Sequence, residues 1–199
     1  MIVLATTFRR VGEPQVAASL LATTSGPDVR PLIVGAWEHA WAEVQLALGD
    51  LDAAHTHARL AAATRYAAIG PGSPAHTATR ALLGRILLAA GELDEAEEVL
   101  FGALSELRGS ALHDRVIEAE VEAAASALLT RRGRTGDGRA AARRALALVG
   151  SADDDPYAST LPVRRALLSL LPAEAEPIRQ DISTIEASYR GVDLITRER

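Results

Sequence analysis

Few side chains in this chain could do chemistry, and their types restrict what that chemistry could be. The 199 residues contain no Cys, and all 21 Lys-plus-Arg positions are Arg. Thiolate nucleophiles, disulfides and Cys-based metal sites are excluded, as are a Schiff-base lysine, a lysine base and a phosphate-loop lysine. Of the five His, His55 and His57 stand two apart. On a helix that turns them to different faces, the wrong arrangement for one metal ion. His76 and His113 stand at the starts of successive expected first helices and read as capping or packing residues. Glu118 and Glu122 would suit general acid–base work only inside a closed pocket, and nothing in the pattern builds one. No Ser lies in a Gly-x-Ser-x-Gly setting, and GPGSP and GRTGDG lack the strand and the Lys of a phosphate cradle. No catalytic residue, metal or cofactor is therefore expected.

Three other groups of residues suit binding better than catalysis. Residues 131–144, RRGRTGDGRAAARR, hold six Arg and one Asp. Such a stretch is either a solvated turn and helix face or a contact for phosphate or an acidic protein surface. No aromatic residue interleaves with it, and the net charge is −5, so nucleic acid is not an expected partner. Trp37 and Trp41 are four apart and share a helix face, either as packing between helices or as the wall of a ligand pocket. The acidic run at 92–98, ELDEAEE, reads as a solvated helix start matched to the helix dipole.

The elements that must position these residues are helical. Apolar residues make up 48% of the chain and aromatics only 4%, with Ala and Leu dominant, and both enter helices at little cost. Residues 81–104 write one helical hairpin: an apolar helix, Gly91, a charged turn, a second apolar helix. Two other segments align with it, and their turn glycines, Gly49, Gly91 and Gly133, are each 42 residues apart. The stretch 49–54, GDLDAA, matches 91–96, GELDEA. Small residues stand where two helices must approach: Ala42, Gly84 and Ser126 in the first helices, Ala54 and Ala96 in the second. Predicted helices cover 1–10, 13–23, 32–48, 51–68, 75–90, 93–108, 112–132, 138–149, 157–171 and 174–190. Gly12 should end the first helix. Linkers fall at 25–31 and 150–156, the second offering Asp residues as a cap. In the third copy four extra residues are expected in the turn (RTGDG). The stretch 191–199 is expected as a frayed tail. Pro177 is tolerable because it falls in a first turn.

The small residue, the turn Gly and two Ala on the second helix are the pattern of a tetratricopeptide repeat. Gly84, Gly91, Ala96 and Ala103 supply it in one copy, and Ala42, Gly49, Ala54 and Ala61 in another. The usual period is about 34 residues. The period of 42 here, with GPGSPAH at 70–76 ahead of a first helix, resembles the kinesin-light-chain type of repeat, also widespread in bacterial regulators. That resemblance implies one all-α domain over 1–199, a TPR-like right-handed superhelix (α-solenoid) of about five antiparallel helix pairs. Its parts would be a partial repeat at 1–24, repeats at 32–68, 75–108 and 112–149, and capping helices at 157–190.

The resemblance also implies a concave groove lined by first helices. The matching positions are Ala36, His39, Glu43, Leu46 and Ala47, then Ala78, Ala81, Arg85, Leu88 and Ala89, then Glu120, Ala123, Ala127, Thr130 and Arg131. His39, Glu43, Leu46, Arg85, Leu88, Glu120 and Arg131 would contact a peptide or helix of a protein partner. Alternatively, Glu43 and Arg85 simply pair with each other across the stack. The family's carboxylate clamp needs Lys and Asn, and this chain has neither. The expected function is a non-catalytic protein-binding or regulatory module of a bacterial signalling or transcriptional system. The alternative is a domain that senses a small molecule or signal peptide near Trp37 and Trp41. Arg in place of Lys throughout fits a GC-rich bacterial genome. The start MIVLATTFRR lacks the order of a signal peptide, and no run spans a bilayer, so the expected location is cytoplasmic. A start inside a repeat raises the expectation of a piece of a larger regulator, and the apolar first helix at an open solenoid end raises that of a homodimer through the N-terminal pair.

Overall fold

The structure, a computed structural model, describes residues 2, 13–23, 30–152 and 158–197. Those residues form nine α-helices and two 3-10 turns, with no strand among them. The helices are α1 (Pro14–Ala22), α2 (Pro31–Leu48), α3 (Leu51–Ile69), α4 (Pro74–Ala90), α5 (Leu93–Arg108), α6 (Arg115–Arg131), α7 (Thr135–Val149), α8 (Leu161–Leu170) and α9 (Ala175–Arg197). The helix expected over 1–10, its Gly12 stop, most of the 25–31 linker and the Asp cluster at 153–155 lie outside the described residues.

Starts and stops follow from residue chemistry. Pro14, Pro31 and Pro74 open α1, α2 and α4, where a missing N–H costs nothing. Gly49, Gly91 and Gly133 end α2, α4 and α6 with φ of 85°, 86° and 77°. Each closes its helix with the same two bonds. The Gly N–H reaches back three residues (to Leu46, Leu88 and Thr130) and the next N–H reaches back five (to Gln45, Leu87 and Leu129), at 2.8–3.2 Å. A Cβ at any of the three would meet nothing within 4 Å, so the left-handed φ, not space, selects Gly.

The third turn corrects one expectation. It needs no extra residues, because Gly133 closes α6 as Gly49 and Gly91 close their helices, and α7 starts at Thr135, not 138. Gly138 stands 42 residues after Ala96. It is buried, and a Cβ there would come 2.5 Å from Thr130 Oγ1 and 3.0 Å from Ser126 O. Ser126 Oγ donates to the Gly138 carbonyl at 2.7 Å. Two glycines in the first turn of α7 hide a helix start that the packing nevertheless enforces. At the C-terminus α9 runs to Arg197, so residues 191–197 are helical where a frayed tail was expected. One interior Gly costs about 1 kcal/mol, which does not end a helix that no Pro interrupts there.

The chain divides into two compact units, Met1–Ile117 and Glu118–Arg199. In the first, α1 packs on α2, α2 on α3, α3 on α4 and α4 on α5. Its small positions are fully buried: Ala42, Ala54, Ala58 and Ala61 in one pair, Ala96 and Ala103 in the next. A Cβ on Gly84 would come 2.4 Å from Leu100 Cδ2, so only Gly lets α4 and α5 approach this closely. In the second unit Ala142, Ala145 and Val149 of α7 meet Val163, Leu167 and Leu171 of the α8 segment and Ile178 of α9 in one core.

A candidate binding face and the paired charges beneath it

A charged residue recurs on the first helix of each pair, Glu38, Arg80, Glu122 and Arg164, spaced by 42 and alternating in sign; in the first three pairs it stands four residues before the small position. Each lies on the first helix of its pair and is matched by a group on the second. Glu38 Oε2 is 2.6 Å from His57 Nδ1. Arg80 Nη1 is 2.7 Å from Glu106 Oε2. Arg144 donates to both oxygens of Glu122, at 2.8 and 2.9 Å. Arg164 Nη1 donates to Asp181 Oδ2 at 2.5 Å, and its other nitrogens reach the Val149 and Gly150 carbonyls and Thr160 Oγ1. Glu122 and Arg164 have no exposed surface, Glu38 is 7% exposed and Arg80 is half-buried. Charges in these positions persist because each is answered within its own pair. A charge at one fixed offset in every copy is visible in the sequence, but the group that answers each charge is not.

In the first unit, α2 and α4 lie against each other and carry the expected groove residues. His39, Glu43 and Leu46 of α2 are half-buried, Arg85 of α4 is exposed, and Leu88 is buried. Ala81 is buried as well, so the α4 side of the face is tighter than the resemblance implied. His39 Nδ1 is hydrogen-bonded to Thr79 Oγ1 at 3.2 Å. Thr79 Oγ1 accepts from Arg65 Nη1 at 2.5 Å and donates to the Ala75 carbonyl at 3.1 Å, which Arg65 also reaches at 2.7 Å. Arg65 lies against Gly35, where a Cβ would come 2.8 Å from its Cγ. Burial pushes the Arg65 guanidinium down to about 10 from its ordinary 12.5, and the Glu43 carboxylate acts against that shift. Glu43 thus faces Arg65. The pair between Glu43 and Arg85 is not formed: among the described residues Arg85 has no hydrogen-bond or ion-pair partner. His39 and Glu43 belong in part to a buried network, whereas Arg85 is an uncommitted charge.

His76 sits nearby, 5% exposed, its ring 5.6 Å from that of Tyr66. Burial holds its pKa below the ordinary 6.5, Arg80 and Arg65 lower it further, and Glu106 raises it. Its Nδ1 has no partner among the described residues. Trp37 and Trp41 pack edge to face at 5.9 Å, and Trp41 stacks on His57 at 5.9 Å. Both Trp lie on the core formed by Ala17, Leu21, Ala40 and Val44 of α1 and α2. His55 receives the Arg59 Nε–H at 3.1 Å and stands apart from the Glu38–His57 pair. No group of three or more His, Asp or Glu is placed to hold a metal among the described residues. In the second unit, Glu120 is half-buried and Arg131 exposed on α6. Of the Arg-rich stretch, Arg134 pairs with Asp137 and Arg144 with Glu122. No described helix is long and apolar enough to cross a membrane.

No family model matches this chain, and no curated protein does either. Solved structures do. One, from Podosopora anserina, is described as a kinesin light chain with nearly identical TPR-like repeats. It is 20% identical, with 94% of each chain covered and a TM-score of 0.52. A variant of that protein matches at 19% identity over 100% of this chain and 95% of its own, again with a TM-score of 0.52. The turns at Gly49, Gly91 and Gly133, the small residues beneath them and these likenesses agree: the chain has the all-α, TPR-like repeat fold, in the long-period form its 42-residue spacing resembles.

Proposed function

We propose that this chain is a non-catalytic protein-binding scaffold whose first-helix face on α2 and α4 takes a peptide or helix of a protein partner. The observation that carries this is Arg85. It is an exposed guanidinium without an internal partner, on a face otherwise made of small and apolar side chains and the half-buried His39, Glu43 and Leu46. Among the described residues of the first unit other cations are engaged: Arg65 with Thr79 and Ala75, Arg80 with Glu106, Arg59 with Glu95. An uncommitted cation beside an apolar strip suits a partner segment that brings one carboxylate and apolar residues at helical or extended spacing. Leu88, being buried, would support that face from below. Glu120 and Arg131 hold the corresponding positions on α6 of the second unit and would make contacts of their own. The Trp37–Trp41 pair, packed against α1, gives the small-molecule alternative less support than the α2–α4 face gives the peptide reading. The exclusive use of Arg and the repeat type support assignment to a bacterial regulatory system.

The test is selection from a random peptide library on the immobilised protein. Enriched peptides should share a carboxylate set among apolar residues, and an Arg85→Glu variant with an unchanged circular-dichroism spectrum should not enrich them. Equal enrichment by both proteins would refute the reading.

A further inference from the structure

The Arg-rich stretch left over by this reading borders a cavity of its own. Between α7 and the 170–174 segment that joins α8 to α9 lies a cleft of about 140 Å³. It is lined by the buried Leu171, the half-buried Leu170 and the exposed Pro172 and Ala173 on one segment, and by the exposed Arg139 and Arg143 of α7. Its surface is almost wholly apolar, because the two arginines present their methylene stems to it. Arg139 and Arg143 are four apart on α7 and share a face. Arg143 is fixed, its Nε donating to Glu174 Oε1 at 3.1 Å. Arg139 is exposed and has no hydrogen-bond or ion-pair partner among the described residues. An enclosed cavity of roughly 150 Å³ holds a benzene ring; this cleft is of similar volume but half open, so it takes one face of a Phe or Leu side chain.

We propose that this cleft is a second docking site, one that takes an apolar anchor residue flanked by carboxylates from an acidic segment of a partner protein. The proposal rests on the reading of the chain as a binding scaffold and names the partner chemistry that the second unit would recognise. The anchor sets one face into the socket, and a carboxylate beside it takes the Arg139 guanidinium in a forked, charge-assisted pair. Arg143, already held by Glu174, keeps the rim in place. Phosphate alone would leave the socket empty, and a neutral apolar peptide would leave Arg139 unanswered.

A fluorescein-labelled peptide, Gly-Asp-Glu-Phe-Glu-Asp, is the probe, with anisotropy as the readout. One control peptide carries Ser for Phe, and another carries Asn and Gln for the acids. The wild-type chain should bind the probe about tenfold or more tightly than either control, a difference of one forked charge pair or one buried aromatic ring. Arg139→Glu removes the cation, and Ala173→Trp fills the socket from an exposed position; each should weaken binding by a similar factor while leaving the circular-dichroism spectrum unchanged. Arg85→Glu should leave it unaltered. Equal binding of probe and controls, or full binding by both variants, would overturn the proposal. So would a homodimer in light scattering that Arg139→Glu dissolves, since the occupant would then be a second copy. If the probe fails while library-selected peptides still require Arg85, this site falls and the α2–α4 face stands; the converse outcome separates them the other way.

Discussion

Glu122 shows what one side chain can demand of its neighbours. It has no exposed surface, and it accepts two hydrogen bonds from Arg144, whose own guanidinium is half in solvent. Removing Arg144 leaves a carboxylate in the core with its forked partner gone. Arg144→Ala should therefore cost roughly 3 kcal/mol in urea unfolding, the low end for a broken buried pair because one partner is exposed. A loss no larger than that of Arg143→Ala, whose pair with Glu174 is on the surface, would argue that Glu122 is satisfied without Arg144. His76 makes the converse case, a titratable group buried without a counter-ion bonded to it. Its folded pKa lies below 6.5, so the folded state resists its protonation. The stability it contributes is complete above pH 6.5 and is lost as pH falls through the lowered folded value. Urea midpoints should drop on acidification below 6.5, and His76→Gln should flatten that part of the slope. An unchanged slope would assign the acid sensitivity to other groups.

Pairs of helices, rather than single ones, are the units that the sequence spells out. The turn glycines and the small residues were legible because left-handed φ and close approach each admit few residue types. At Gly91 φ is 86° and a Cβ would touch nothing, so Gly91→Ala should cost about 1–2 kcal/mol, all of it conformational. A neutral result in thermal unfolding would mean the turn adopts another geometry. The third turn reads as a loop because Gly136 and Gly138 mimic one, and of the two only Gly138 is held in the helix by burial against Ser126 and Thr130. The pairing of the alternating charges at 38, 80, 122 and 164 was not legible. Their partners lie 19, 22 and 17 residues on in three of the four pairs, and no local spacing rule links residues so far apart. These contacts hold each first helix to its own second helix. Arg80→Glu should lower the unfolding midpoint, and adding Glu106→Arg should restore much of it. Failure of the double variant to recover would show that the surrounding charges, Arg65 and His76 among them, fix the sign at this position.

At the level of the whole chain, the all-α repeat architecture could be read from one line of sequence, because a 42-residue period leaves few folds that satisfy it. The binding face could be only half read. Position along a first helix marked His39, Glu43, Arg85 and Leu88 alike, yet the structure commits His39 and Glu43 to the Arg65 network, buries Leu88 and leaves Arg85 open. Which polar side chain is available depends on what lies on neighbouring helices, and that is a property of packing. The same reasoning separates Arg139 from Arg134 and Arg144 within one basic stretch. The most direct measurement is calorimetric titration of a library-selected peptide into the wild-type chain and into Arg85→Glu. A loss of about tenfold or more in affinity, with the unfolding midpoint unchanged, is the predicted result. Equal affinity for both proteins would contradict a binding face on α2 and α4.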